Sequence, residues 1–480
     1  MALWCRAVRA VNSASPFRRG EDLHPVLGQF LVQLLRQAWR STGRHGASAV
    51  AGEGPDSLRA SFEDLLRAED YEGAHALARD ALARDAASYE ARLLLGRALQ
   101  KLHQPEQALE NFELARRMRA DDAELYDFRG SLYQELGRLQ DAFADYGRAL
   151  SLRPDFPLAS FHRAMAQLLA GDFEHGWEGY ELRRLGAAPE PWRGGLPHWD
   201  GSPLGGRSLF IAREQGLGDE IMFASLLPQV LGQARHCIVE CDPRLRAIFA
   251  RSFPAATIVG TPPGGGQPRG VEPARIDAVI EAGSLPRLMR RHAADFPRHE
   301  GYLRADPQHV EHWRRRLEAL GPGLKIGISW TGGVRMTRRA LRSISLAQLL
   351  PVFRVPGARF VSLQYTADAR AATDALRASH GAEITHWQEA IDDYDQTAAL
   401  VCALDLVVSV CTAVVHLGGA LGRPVWVLAP VSPEWRYGFA GDSMPWYPSV
   451  RLFRQSAYGQ WEPVVARVAR ELERQIARAG

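Results

Sequence analysis

Residues Leu406 to Pro430, LVVSVCTAVVHLGGALGRPVWVLAP, admit few folds. The apolar run Leu406 to Val410 suits a strand buried on both faces, and Cys411-Thr412-Ala413 makes a tight polar turn into a helix. Gly422-Arg423-Pro424 stops that helix before Val425 to Leu428 begins a second strand. The unit is therefore βαβ, with its polar turn at the carboxyl end of the first strand. Ser409, Cys411, Thr412 and the first free helix amides gather where the helix dipole is positive, which favours a phosphate or diphosphate. The same pattern also serves as a plain α/β crossover that binds nothing.

A second unit of this kind lies upstream. Ser208 to Ala212 is a short apolar strand, Arg213-Glu214-Gln215-Gly216-Leu217-Gly218-Asp219 is a glycine-rich turn, and Glu220 to Leu231 follows as an amphipathic helix. Gly216 and Gly218 let the backbone approach a ligand, although GLGD lacks the full dinucleotide fingerprint. Between the two units, LKIGISW (Leu324 to Trp330) is another strand, followed by Thr331-Gly332-Gly333 and then Arg335, Arg338, Arg339 and Arg342. Polar turns thus end strands in both halves, and ligands of open α/β sheets bind at those ends. Two such halves facing each other make a cleft.

The order GLGD, then KIGISWTGG, then TAVVHLGGALGRPVW resembles glycosyltransferase family 9, which includes the ADP-heptose lipopolysaccharide heptosyltransferases. More narrowly, it resembles bacterial proteins that join tetratricopeptide repeats to such a domain. The resemblance covers roughly Trp192 to the C-terminus, together with the repeats before it. It implies a GT-B architecture of two doubly wound halves, with the nucleotide sugar held mainly by the second, and inverting, metal-independent transfer of hexosyl or heptosyl type. It also implies roles for individual residues. Asp219 matches the acidic residue after the first glycine turn, the general base. Thr412 and His416 match the motif of the donor-binding helix, and Lys325 lies in the strand opening the second half. The family's Asp-Thr-Gly turn is here Cys411-Thr412-Ala413, which removes a carboxylate expected near the donor sugar or its acceptor and leaves room for an inactive domain.

The chemistry has its own demands. Moving a sugar from a nucleotide diphosphate needs a base for the acceptor hydroxyl and positive potential for the departing diphosphate. Asp219 is the best-placed base, and it equally reads as an N-terminal cap for the helix from Glu220. Charge on the leaving group falls to the amides at Thr412 and Ala413, and Gly216, Gly218 and Gly332 are expected to bind the donor. Lys325, Arg335 or Arg342 add positive charge, although an arginine-rich run also reads as a solvated loop. His416 either bonds a phosphate or sugar hydroxyl or is a satisfied core histidine. Pro433-Glu434-Trp435-Arg436-Tyr437 offers a stacking ring and a ribose contact, or plain packing.

Three other patterns imitate sites. Asp393-Tyr394-Asp395 matches a metal-binding D-x-D, but the helix Gln396 to Leu406 follows at once, so Asp395 reads as its cap. Cys237 and Cys241 on one strand face stand about 13 Å apart, too far for a disulfide, and no second pair at zinc spacing follows. Cys411 at a helix start, with His416, outlines a thiol enzyme, ranked below simple packing. No metal and no cofactor beyond the sugar nucleotide itself is expected.

The N-terminal third repeats. Leu95-Gly96, Leu99, Ala108, Phe112 and Ala115 align with Arg129-Gly130, Tyr133, Ala142, Tyr146, Ala149 and Pro154 at a period of about 34 residues, that of tetratricopeptide helix pairs. A weaker copy runs through Phe62, Ala74, Ala78 and Ala81. A last one, Pro157 to Arg184, carries Gly176 and Trp177, a departure that marks the seam with the next domain. Such arrays hold a peptide or protein segment, or act as dimerisation or spacing devices. Before them, Leu27 to Trp39 is amphipathic, too short to span a bilayer, and suited to capping the repeats or resting on a membrane surface.

These readings divide the chain into a partly flexible N-terminal segment (1–54), an α-solenoid of repeats (55–187) and a GT-B-like α/β domain (188–480, halves about 204–305 and 322–480). In GT-B folds the last helix, here Trp461 to Ala479, commonly crosses back to the first half. A net charge of +3 over 480 residues makes no case for nucleic acid, and five cysteines suit a reducing cytoplasm. The expected function is a glycosyltransferase using a nucleotide sugar, with a protein or glycan acceptor presented by the repeats. The alternative is a repeat-based interaction scaffold whose transferase-like domain is inactive.

Overall fold

A computed structural model of the protein describes residues 55–186, 191–262, 266–333 and 338–479. The expected amphipathic helix Leu27 to Trp39 and Arg335 lie outside the described residues. None of the helices among the described residues is long and apolar enough to cross a membrane.

Eight helices form the first layer: α1 (Pro55–Arg67), α2 (Tyr71–Arg84), α3 (Tyr89–Lys101), α4 (Pro105–Met118), α5 (Ala123–Glu135), α6 (Leu139–Leu152), α7 (Pro157–Ala170) and α8 (Phe173–Tyr180). Side-chain oxygens of Asp70, Ser88, Asp122 and Asp172 accept from amides in the first turns of α2, α3, α5 and α8 and set where those helices begin. The repeat spacing has a steric cause. A Cβ at Gly96 would stand 2.7 Å from the Phe112 ring, and one at Gly130 would stand 2.9 Å from the Tyr146 ring. A small residue on one helix therefore admits an aromatic from the next, and buried Ala108, Ala115, Ala142 and Ala149 keep the pairs close.

The α/β part contains two sheets. The first is fully parallel, in the order β3-β2-β1-β4, from β1 (Ser208–Ala212), β2 (His236–Cys241), β3 (Ala256–Gly260) and β4 (Ala278–Glu281). The second has seven strands in the order β10-β11-β9-β8-β5-β6-β7. Its strands are β5 (Leu324–Ser329), β6 (Ala358–Ser362), β7 (Ile384–Thr385), β8 (Leu406–Val410), β9 (Val425–Ala429), β10 (Ser443–Met444) and β11 (Tyr447–Arg454), parallel except for the β10–β11 pair. Strands β1, β8 and β9 are buried along their whole length, as strands covered on both faces must be. Strand order reverses beside β1 in the first sheet and beside β5 in the second, and it is at the carboxyl ends of strands at such reversals that open α/β sheets bind ligands. The chain is thus a tetratricopeptide-type helical array followed by an α/β region of two parallel-rich sheets.

Four helices of this region bear on the site and the packing: α9 (Leu217–Phe223), α10 (Pro307–Glu318), α11 (Tyr394–Ala403) and α12 (Ala413–Ala420). The last helix, α13 (Glu462–Ala479), does not follow the expectation of a return to the first half. Its apolar stripe of Val464, Val465, Val468 and Leu472 joins Ile326, Ile328, Val408 and Phe360 in the core of the second sheet, because that sheet face needs a cover. The halves meet through other contacts. The Tyr302 and Leu303 amides both donate to the Ala420 carbonyl, at 2.8 and 3.0 Å. Arg251 makes two hydrogen bonds to the Asp395 carboxylate, at 2.9 and 2.7 Å.

Candidate functional site

Helix α9 begins at Leu217, earlier than the sequence suggests, because Gly216 takes an extended conformation and serves as its cap. Asp219 therefore sits in the first turn rather than ahead of it. Its Oδ2 accepts the Gly216 amide at 3.2 Å, so the capping role read as an alternative is present. Its Oδ1 accepts from the Arg436 guanidinium, which arrives from the second half. Asp219 is 7 % exposed.

The turn before α9 is pinned from several sides. Arg213 donates to Glu220 at 2.9 Å and also reaches the Thr261 carbonyl, while Glu220 accepts the Asp242 amide at 2.6 Å. Burial nonetheless pushes the Glu220 carboxyl up to about 8. Gln215 adopts a left-handed φ of 64° and donates to the Tyr180 hydroxyl of the last repeat. Glu214 accepts from Arg183 at 3.0 Å.

On the facing side, Thr412 caps α12, its hydroxyl accepting the Val414 amide at 3.2 Å. The helix starts α9 and α12 lie against each other. A Cβ at Gly218 would fall 2.9 Å from His416 Cδ2 and 3.4 Å from Ala413 Cα. Gly332 packs as closely, since a Cβ there would stand 2.6 Å from the Cys411 carbonyl and 3.0 Å from the Thr412 methyl. The turn leading to Gly332 is held by buried Gln364, whose side-chain oxygen accepts the Trp330 and Thr331 amides at 3.0 Å each. The structure thus brings Gly216, Gly218, Asp219, Gly332, Thr412, Ala413 and His416 into one locality at the seam of the halves.

Other residues sit differently from their expected places. Lys325 occupies the amino end of β5 and bonds the Gly321 carbonyl, about 13 Å of strand from the carboxyl end where Gly332 follows. A residue at that end of a parallel strand faces away from the crevice. His416 is 3 % exposed and lies between two tyrosines, with Nδ1 at 3.1 Å from the Tyr447 hydroxyl and Nε2 at 3.4 Å from that of Tyr437. Burial, reinforced by Arg436 and opposed by Asp219, pulls its pKa down to about 3, so the ring is neutral at pH 7. Its role as a satisfied core histidine is realised. Burial also pushes the Cys411 thiol well up, which leaves no thiolate for a nucleophile. Asp393 caps α11 by accepting the Asp395 amide, whereas Asp395 faces Arg251 across the seam. Trp435 and Tyr437 are buried, so neither ring is open for stacking on a ligand.

Arg342 is present at the site and pairs with Glu434. Arg436, which the sequence offers only within the stacking or ribose-contact stretch Pro433 to Tyr437, pairs with Asp219 instead. It lies at the carboxyl end of β9, in the same row of polar turns as Thr412, and a charged residue between two aromatics there was the available signal. Arg342, Arg436 and Arg454 all act electrostatically on Cys411 beside the start of α12, against the carboxylates Glu434 and Asp219. Two guanidiniums, each paired with a carboxylate, thus accompany the positive end of the α12 dipole.

A tetratricopeptide-repeat family matches residues 65–132, and a second tetratricopeptide-repeat family matches residues 123–156, so the helical array consists of such repeats. The chain is 35% identical over 381 residues to Protein FlbA of Caulobacter vibrioides, an alignment that covers 75% of this chain and 63% of FlbA. It therefore spans less than two thirds of that relative. Among solved structures, ADP-heptose lipopolysaccharide heptosyltransferase II of E. coli aligns with 56% of this chain and 99% of its own, at 13% identity and a TM-score of 0.39. An O-GlcNAc transferase of Thermobaculum terrenum aligns with 88% of this chain and 93% of its own, at 13% identity and a TM-score of 0.33.

Proposed function

We propose that the protein is an inverting glycosyltransferase that moves a sugar from a nucleoside diphosphate to a protein or glycan acceptor presented by the repeats. One observation carries the reading: a carboxylate on the first turn of α9 lies beside the start of α12, where strand order reverses in both sheets. The acceptor hydroxyl attacks the anomeric carbon and passes its proton to Asp219. The bond from that carbon to the diphosphate oxygen breaks, and its electron pair leaves with the nucleoside diphosphate. The first amides of α12, with Arg436 and Arg342, take up the negative charge that develops there. No step calls for a metal or a further cofactor. In this reading the repeats (55–187) serve the transferase region (188–480), and the cysteines among the described residues are free thiols, which suits a cytoplasmic site of action.

Thermal melts with a panel of nucleoside diphosphates and their sugars, followed by turnover of any hit, test this. At least one nucleotide is expected to raise the melting temperature, and Asp219→Ala to lower turnover by about a hundredfold or more while still binding nucleotide. If nothing in the panel binds, the reading fails. A scaffold with an inactive domain is the second reading, supported by the Asp219–Arg436 ion pair and by Cys411 in place of the family's aspartate. Binding without turnover in the unaltered protein would select it.

A further inference from the structure

We infer that Tyr365 is the platform on which the nucleobase of the donor stacks. The inference rests on the transferase reading and names the residue that holds the far end of the nucleotide.

Tyr365 is 48 % exposed, and no other phenylalanine, tyrosine or tryptophan among the described residues is exposed. A single open ring is ordinary on a surface, and position gives this one its meaning. Tyr365 follows the carboxyl end of β6, where the two residues before it fasten the chain to β5. The Leu363 amide donates to the Ile328 carbonyl at 2.9 Å. The side-chain oxygen of Gln364 accepts the Ser329 hydroxyl at 3.1 Å and the Trp330 and Thr331 amides at 3.0 Å each, while its amide group donates to the Thr331 carbonyl at 3.3 Å. The backbone that carries the ring is therefore tied to the turn leading into Gly332.

Strands β8, β5 and β6 lie side by side in that order. Helix α12 starts just beyond the carboxyl end of β8, so its start and Tyr365 are two strand spacings apart, about 10 Å. A ribose joined to a diphosphate on one side and a base on the other covers such a gap. Between the two, the end of β5 carries Thr331, Gly332 and Gly333, and the glycines put no side chain in the way. The other side of β8 offers no equivalent. The rings that follow β9, Trp435 and Tyr437, are 4 % and 1 % exposed and packed against Trp177 and His416, so a base directed there would meet no open face. A diphosphate at α12 thus sends its base across β5 toward β6. Every base has a π-face, so Tyr365 supplies affinity more than choice of base.

Calorimetric titration with ADP, GDP, UDP and CDP, without sugar, decides the matter. Tyr365→Phe keeps the π-face and is expected to bind the preferred nucleotide within about twofold of the unaltered protein. Tyr365→Leu and Tyr365→Ala remove it and are expected to bind about tenfold or more weakly, with the melting temperature of the nucleotide-free protein unchanged because the ring is a surface one. If the unaltered protein binds one of the four and Tyr365→Ala binds it equally well, the platform is wrong while the transferase reading stands. If Tyr365→Phe binds as weakly as Tyr365→Ala, the hydroxyl is the contact and stacking is overturned. Should the unaltered protein bind none of them, the transferase reading falls and the platform with it.

Discussion

A histidine in the first helical turns after a polar loop has two uses, as a ligand for an anion or as a packed ring, and its surroundings choose between them. For His416 the two tyrosine hydroxyls and nearly complete burial choose the second. The choice has a pH signature. The folded ring has a pKa of about 3, against about 6.5 in the unfolded chain, so between those values the unfolded state binds a proton that the folded state does not. The stabilising contribution is complete above pH 6.5 and declines as pH falls toward 3. Urea unfolding is expected to lose about 2 kcal/mol from this group between pH 7 and pH 5. His416→Gln should be less stable at pH 7 and show a shallower decline, and equal slopes in the two proteins would contradict this account. Residue types in sequence identified Asp219, Thr412 and Gly332 as neighbours of a polar crevice, but they did not pair Asp219 with Arg436. The two are separated by most of the α/β region, and only folding brings them together.

At the scale of elements, α8 is the part that touches both sides of the ion pair. Its Tyr180 accepts from Gln215, ahead of Asp219, and both Trp177 and Tyr180 pack edge-on against Trp435, next to Arg436, with ring centroids 5.1 and 5.7 Å apart. Tyr180→Phe removes the hydroxyl and leaves the ring. We expect about 1 kcal/mol of lost stability and, in an active enzyme, about a tenfold lower kcat with little change in donor KM, because the diphosphate is held from the other half. A KM effect of equal size would place Gln215 in donor binding instead. The helices that follow the polar turns were legible, but their limits were not, and the expected helix Glu220 to Leu231 is broken after Phe223. Asp219 and Asp395 were both expected ahead of their helices and lie inside the first turn, since Gly216 and Asp393 supply the caps. Several residues near each start had capping chemistry, and the sequence held no means of ranking them.

Across the whole molecule, one hydrophobic core runs from Ala123 in the repeats through Trp177 and Tyr180 to Phe223, Trp435 and Trp446 of the α/β region. Trp177 is 1 % exposed, donates to the Arg290 carbonyl at 2.8 Å and packs edge-on against Trp435 and Trp446. The last repeats are therefore a wall of the α/β region rather than a tethered attachment. Trp177→Ala is expected to cost about 3–5 kcal/mol and to lower the unfolding midpoints of the repeats and the α/β region together. Independent midpoints, one of them unmoved, would show that the seam is not cooperative. The seam was visible in sequence as Gly176 and Trp177 departing from the repeat pattern. Its depth was not, because a periodic motif reports contacts between neighbouring helices and is silent about what covers its end.

Local pattern was enough for what depends on near neighbours: the helical repeats from a glycine or alanine facing an aromatic, the parallel strands from unbroken apolar runs, and the polar turns that follow them. Long-range folding settled the rest. It brought Arg436 onto Asp219, enclosed His416 between tyrosines, left Lys325 at the far end of its strand and laid the final helix on the second sheet. Each of these depends on charges or surfaces from distant segments meeting in a space without water. There the energy of a polar group is set by its partners, and sequence distance carries no information about who they will be.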